Sequence, residues 1–169
     1  MEGVTINNFD GETYTGDYAW GKYCMIELDK ILISRLSTFI ETCEWKENEI
    51  VTIDDINKGI KDNVCEQIEP YDNLNIYNLH IEEKEWHIGR IIYFINHEDE
   101  ITNITIDNYC DDSYVYPVPI IINGNHRWMA ALWLNKHGKK EFVECSYGGR
   151  LDLLDYLIGK SDKCPTDWD

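Results

Sequence analysis

One segment constrains the fold of this chain more than any other. It is an apolar run that passes through Asn-Gly into a stretch rich in helix formers, Pro119-Ile-Ile-Ile-Asn-Gly-Asn-His-Arg-Trp-Met-Ala-Ala-Leu132. A short, fully apolar run is typical of a strand that is covered on both faces, and Gly124 permits a tight turn after it. The sequence therefore predicts a strand–turn–helix unit, in which Asn125 caps a helix that runs to about Lys136 and ends at Gly138.

The start of this helix has the features of an anion site. The first backbone N–H groups of a helix have no partner within the helix, and they attract negative charge. His126 and Arg127 fall in the first turn, where a cation faces the positive end of the helix dipole. A bound phosphate would offset that cost by bridging the guanidinium and the amides. An ordinary Asn-Gly turn with both side chains in solvent explains the local pattern equally well.

Apolar spacing and turn residues predict the remaining elements. Helices are predicted over 30–43, from Thr52 onward with a capping box completed by Asp55, over 80–97 and over 151–158. Strands are predicted over 25–28, 101–107, 117–122 and 141–145, with loops over 66–79 and 108–113 and a turn over 147–150. Residues 1–23 are typical of an irregular arm or a loose hairpin. The alternation in the second half indicates a mixed α/β domain.

Charge is distributed unevenly along the chain. The net charge is −17, with 25 acidic and 8 basic residues in 1–116 and 7 of each in 117–169. The acidic part would repel nucleic acid, so a general nucleic-acid-binding role is not expected. A basic protein partner could bind this acidic face. The predicted anion site lies in the neutral part, where an anion meets less repulsion.

The cellular compartment is inferred from three features that the sequence lacks. The first ten residues lack the basic and apolar regions of a secretory signal, and no apolar run approaches the length of a membrane span. Six cysteines are widely spaced without a Cys-x-x-Cys pair, so reduced thiols are expected and a zinc site is not. We expect a cytoplasmic protein that does not contact a membrane.

The segment Ile120–Ala131 resembles the signature of the ParB/sulfiredoxin-like superfamily, in which an apolar strand leads into Gly-x-x-Arg and an Ala-rich helix. The Gly-Asn-His-Arg form is similar to that of uncharacterised bacterial and phage members. Trp86–Ile95 followed by Ile104–Asp107 resembles the same group, where an Arg-Ile helix precedes a strand. The resemblance covers about residues 80–158. It implies one ParB/sulfiredoxin-like α/β (α+β) domain over 25–169, a small mixed sheet flanked by helices, after an irregular acidic arm over 1–24.

In this superfamily the Gly-x-x-Arg loop holds the phosphates of ATP or CTP. The resemblance therefore implies a nucleotide or phosphate site, with Mg²⁺ accompanying the nucleotide and no resident metal site. The predicted binding residues are Asn123, Gly124, Asn125, His126, Arg127, Arg90 and Asp107. Of these, Arg127 would neutralise phosphate charge and His126 would donate a hydrogen bond, which makes them the candidate catalytic residues. The alternative for Arg90 is an exposed or ion-paired side chain, for Asp107 a carboxylate that faces water, and His87 is expected on the helix surface.

Two departures from the family narrow the function. Asn125 stands where sulfiredoxin has its catalytic cysteine, and the roughly forty residues after Arg127 supply no basic recognition helix like that of centromere-binding ParB proteins. Three functions remain open. They are nucleotide-dependent phosphoryl transfer or hydrolysis, a non-catalytic acidic protein such as a phage-encoded inhibitor that mimics nucleic acid, and a ParB-like nuclease. The sequence does not decide whether the chain is an enzyme.

Overall fold

The computed structural model describes residues 6–8, 17–18, 21–45, 49–67, 84–111 and 114–165. Its α-helices are α1 (Ile33–Leu36), α2 (Ile53–Lys61), α3 (Lys84–Asn96), α4 (Asn125–Lys136) and α5 (Leu151–Leu157), and a 3₁₀ turn spans Glu98–Glu100. Its strands are β1 (Ile6–Asn8), β2 (Asp17–Tyr18), β3 (Gly21–Leu32), β4 (Cys43–Trp45), β5 (Glu49–Val51), β6 (Ile104–Asp111), β7 (Tyr114–Asn123) and β8 (Phe142–Arg150).

The main sheet is mixed. Among the described residues its strand order is β1-β3-β8-β6-β7, and β2 pairs with β3 off this path. The pairs β3–β8 and β6–β7 are antiparallel, whereas β6 and β8 run parallel. A separate antiparallel hairpin consists of β4 and β5. The predicted mixed α/β class and single small domain are confirmed.

Helix α4 is the centre of the core. Every residue from Trp128 to Leu134 is buried, and a helix that is apolar all round belongs inside a domain. The indole N–H of Trp128 donates to the carbonyl of Ile40 at 3.2 Å, and that of Trp133 donates to Asn57 Oδ1 at 2.9 Å. Both indoles therefore bury their rings without losing a hydrogen bond, as buried tryptophans usually do.

Local sequence signals predicted the positions of helices α2, α3 and α4 correctly. Helix α4 has the predicted extent, although Gly124 rather than Asn125 is its N-cap residue. Thr52 caps α2 in the predicted capping box with Asp55. Helix α3 begins at Lys84 within the predicted 80–97, and its first four predicted residues lie outside the described residues.

The predicted helix over 30–43 is wrong. Strand β3 continues to Leu32, and the only helical turn is α1. After an irregularity between Leu28 and Ile31, the strand resumes its pairing, with Ile31 opposite Val143 of β8. Pairing with a distant strand overrides the helical spacing of the apolar residues, because that spacing also suits a strand followed by one helical turn.

The predicted turn over 147–150 is also wrong, since β8 runs through both glycines to Arg150. Gly148 lies opposite Met25 of β3 and Asp107 of β6 in the middle of the sheet. The predicted loop over 108–113 is shorter than expected, because β6 reaches Asp111 and β7 begins at Tyr114. Most of the predicted loop over 66–79 lies outside the described residues.

Two further expectations concern the edges of the sheet. Among the described strands β7 lies at the edge of the sheet. Its Val118, Ile120 and Ile122 are 40%, 39% and 53% exposed, so the prediction of a strand covered on both faces is wrong. In the predicted arm over 1–24, the short strands β1 and β2 pair with β3, and the residues around them lie outside the described residues. No helix in the described part of the chain is long and apolar enough to span a membrane.

Candidate anion site at the start of helix α4

The turn before α4 depends on Gly124. Its φ of 88° and ψ of 27° lie in the left-handed region that favours glycine. A Cβ atom at this position would lie 3.1 Å from the Cα atom of Ile104 and 3.3 Å from the carbonyl oxygen of Asn103. The carbonyl of Gly124 accepts the first helical hydrogen bond, from the N–H of Trp128 at 2.8 Å. The turn therefore presses the helix start against the entry to β6.

The first turn of α4 leaves three backbone donors available. No described residue accepts a hydrogen bond from the N–H groups of Asn125, His126 or Arg127, and the turn contains no acidic residue. Free donors at a helix start carry partial positive charge and suit an anion. Asn125 is held from its side chain instead, because the Sγ of Cys43 lies 3.4 Å from its Oδ1. Burial raises the pKa of Cys43 to about 12, so this thiol stays protonated.

Arg127 lies beside the same loop. Its Nη1 donates to the carbonyl of Thr102 at 2.8 Å, and its guanidinium lies 5.9 Å from the ring of Phe94. The residue is half-buried, and no carboxylate contacts it among the described residues. Among the described residues, one of its five N–H groups therefore donates a hydrogen bond to the protein. This bond keeps the guanidinium next to Asn103 and Ile104, which pack against Gly124.

Arg90 and Arg127 have one aromatic neighbour in common. Arg90 is 2% exposed, so the solvent-exposed form of its alternative role is wrong, and the ion-paired form stays open. Its guanidinium lies 4.7 Å from the ring of Phe94 and 4.8 Å from that of Tyr93, and Nη1 donates to the carbonyl of Glu66. The ring of Phe94 on α3 is thus a neighbour of both guanidinium groups.

His126 has a partner that the sequence did not suggest. Its Nε2 lies 2.9 Å from Nδ1 of His87, and the ring of Trp45 stacks on both imidazoles at centroid distances of 4.9 and 4.6 Å. Trp86 contacts both rings edge-on at 5.4 and 5.3 Å. His87 is 5% exposed, so its predicted place on the helix surface is wrong. Nε2 of His126 is thus engaged, and a hydrogen bond to a phosphate would have to come from Nδ1.

The surroundings of His126 keep it neutral. Burial, followed by the neighbouring His87, Arg90 and Arg127, lowers its pKa from 6.5 to about 3. Each of these effects penalises the charged imidazolium. At neutral pH one imidazole of the pair therefore donates and the other accepts across the 2.9 Å contact.

The remaining predicted residues lie farther along the sheet. Asn123 ends β7 next to the turn and is exposed, opposite Thr105. Asp107 is buried and pairs with Ile120 of β7 and Gly148 of β8. Since it alternates with the core residue Ile106, it belongs to the opposite face of the sheet. Asp107 is not among the described contacts of Arg127.

The residues that sequence reasoning missed are His87, as a buried partner, and Trp45. In the described ranges, no three His, Cys, Asp or Glu side chains converge to hold a metal ion. No family model, curated protein or solved structure matches the chain.

Proposed function

We propose that this chain is a ParB/sulfiredoxin-like protein that binds the phosphate groups of a nucleotide, ATP or CTP, at the first turn of α4. The observation that carries the proposal is the position of Arg127. Its guanidinium is anchored by the carbonyl of Thr102, beside a turn that contains no acidic residue and whose first three N–H groups have no acceptor among the described residues. The strand, the Gly-x-x-Arg loop and the buried Ala-containing helix occur in the order that the superfamily signature requires.

Electrostatics favour an anion over a neutral ligand here. A cation in the first turn of a helix is disfavoured by up to about 1 kcal/mol, and a phosphate between Arg127 and the amides reverses the sign of that interaction. The site lies in the part of the chain from 117 to 169, which has no net charge, whereas the whole chain has a net charge of −17.

The proposed chemistry is phosphoryl transfer or hydrolysis. Such reactions depend mainly on positioning and on charge neutralisation, which Arg127 and the backbone donors supply. Because the first turn contains no carboxylate, Mg²⁺ would be held by the phosphates and water rather than by this turn. A role with ATP or CTP agrees with a cytoplasmic location.

Nucleotide titration tests the proposal. Calorimetry and thermal shift with ATP, CTP and sulfate, each with and without Mg²⁺, should give saturable binding and a raised Tm. Arg127→Gln should weaken binding by about 10- to 100-fold, since a charge-assisted hydrogen bond contributes about 1.5–3 kcal/mol.

Lys61→Gln is the matched control, because it removes one positive charge from an exposed position at the end of α2. This variant should bind like the unaltered chain. Failure of all three ligands to bind would contradict the proposal, and so would equal affinity in Arg127→Gln and Lys61→Gln.

A further inference from the structure

Three aromatic side chains from other parts of the fold hold the ring of His126. His87 comes from the first turn of α3 and Trp45 from the end of β4, and both stack on this imidazole. Their planes lie at 18° and 17° to it, with ring centroids 5.2 and 4.9 Å away. Trp86 contacts the same ring edge-on at 5.4 Å. The orientation of the His126 ring is therefore set by packing.

The hairpin β4–β5, which carries Trp45, is itself anchored in the core. Its residues Cys43 and Val51 are buried members of the hydrophobic core. Closely packed neighbours limit the reorientation of a side chain. Nε2 of His126 therefore stays directed at Nδ1 of His87, 2.9 Å away.

The contact between the two imidazoles holds one proton. Both atoms are ring nitrogens, so one of them donates and the other accepts. The hydrogen bond that one nitrogen of an imidazole makes sets the state of the other nitrogen. If Nε2 of His126 accepts, the proton of this neutral ring lies on Nδ1, which is bonded to Cγ and is therefore nearer to the backbone of the first turn of α4. If Nε2 donates, Nδ1 has only a lone pair, which would repel an anion.

Two observations favour His87 as the donor. Burial, His87 and the arginines Arg90 and Arg127 lower the pKa of His126 to about 3, so a further proton on the pair resides on His87. In addition, no described residue makes a hydrogen bond to Nδ1 of His126, which leaves that atom for a ligand. Nε2 of His87 can have either role, because His87 is neutral if Nε2 accepts and a cation if Nε2 donates.

We propose that His87 is a positioning residue, which donates through Nδ1 to His126 and thereby keeps the proton of His126 on Nδ1, available to a phosphate oxygen. The role of His87 rests on the proposed phosphate site, and it decides whether His126 can donate there. The chemical group that this arrangement fits is a fully ionised phosphate oxygen, which can only accept.

A double-mutant cycle with ATP and Mg²⁺ tests the proposal in the full chain. His126→Phe should weaken ATP binding by about 10- to 100-fold, the range for a lost charge-assisted hydrogen bond. His87→Phe keeps a ring for Trp45 to stack on but removes the donor, and it should weaken binding by about 10-fold. The double variant should bind no more weakly than His126→Phe, because His87 acts only through His126.

Two more variants separate the donor from the packing. His87→Asn has an amide N–H that can donate from nearly the same place as Nδ1, and it should retain most of the affinity. His137→Phe is the control and should bind like the unaltered chain, since His137 follows the last residue of α4 and stacks on Trp133 at 3.8 Å.

Proton–nitrogen correlation NMR of the imidazoles gives an independent readout in the unaltered chain. When the chain is saturated with ATP, the proton of His126 should lie on Nδ1. This measurement decides alone if the His87 variants do not fold.

A proton on Nε2 of His126 in the ATP complex would overturn the role of His87. Unchanged ATP binding by a folded His87→Phe would do the same, and so would a double variant whose loss is the product of the two single losses. If Arg127→Gln still weakens binding in these cases, the proposed phosphate site stands without His87. If ATP, CTP and sulfate all fail to bind the unaltered chain, both proposals are wrong.

Discussion

Gly124→Ala adds a methyl group at a position where it would meet backbone atoms of Ile104 and Asn103. Two energetic costs then add. A non-glycine residue at φ 88° costs about 1–2 kcal/mol. The new Cβ would lie 3.1 Å from the Cα and 3.2 Å from Cγ1 of Ile104, and overpacking of this kind typically costs about 1–3 kcal/mol. Because alanine also lowers the entropy of the unfolded chain, which offsets part of the first term, we expect a total loss of about 2–4 kcal/mol in the free energy of unfolding.

Gly138 provides a matched control within the chain. Its φ is 69°, and a Cβ there would meet nothing within 4 Å, so Gly138→Ala carries the conformational term without the steric one. Part of that term is offset because alanine lowers the entropy of the unfolded chain, and we expect a net loss of about 1 kcal/mol.

Urea unfolding of both variants, followed by far-UV circular dichroism at pH 7, separates the two terms. The difference between the variants measures the contact between the turn and β6, and at an m-value of about 2 kcal/mol/M it corresponds to a midpoint shift of roughly 0.5–1.5 M. Equal losses at the two glycines would refute the argument, because they would mean that Ile104 does not press on the turn.

Two further predictions concern stability. Thr52→Ala should lower the free energy of unfolding by about 1 kcal/mol, because the capping box with Asp55 loses its hydroxyl; thermal unfolding measures this, and an unchanged Tm would contradict it. The pKa of His126 is about 3 in the folded chain and 6.5 in the unfolded chain. The stability that the neutral imidazole contributes is therefore fully present above pH 6.5 and declines as the pH falls below it. Urea unfolding should show about 2 kcal/mol more loss between pH 7 and pH 5 than in His126→Gln, and parallel curves would contradict this.

Those parts of the fold that local signals determine could be predicted from the sequence. The capping residue Thr52 and the apolar face of α2 identify that helix, and Gly124 and Gly138 bracket α4. In each case the information lies within a few residues of the boundary.

Elements defined by distant pairing could not be predicted in the same way. The end of β3 at Leu32 depends on Phe142, about a hundred residues away, and the glycines of β8 are strand residues only because β3 and β6 flank them. In isolation, two consecutive glycines favour a turn. Tertiary pairing therefore overrode local preference in the predicted helix over 30–43 and in the predicted turn over 147–150.

Part of the candidate site was accessible from the sequence. Gly124 and Arg127 were predicted together, and the structure places both at the helix start. The burial of His87 has a signal in the sequence. His87 precedes Ile91 by four residues and Ile95 by eight, which is the spacing of one helix face. Trp45 carried no comparable signal, because its stacking on His87 and His126 depends on how the hairpin β4–β5 packs against α3.

The residues that set the geometry of the site lie outside the motif that identified it. The segment Thr102–Ile104 holds the helix start at two points, through the carbonyl of Thr102 on Arg127 and through the backbone of Ile104 against Gly124. Asn103 between them has a φ of 52°, a left-handed conformation that asparagine adopts more readily than most residues. The same short segment therefore fixes both the guanidinium and the turn. It follows that the entry to β6, at Thr102–Ile104, specifies where the guanidinium of Arg127 lies relative to the first turn of α4.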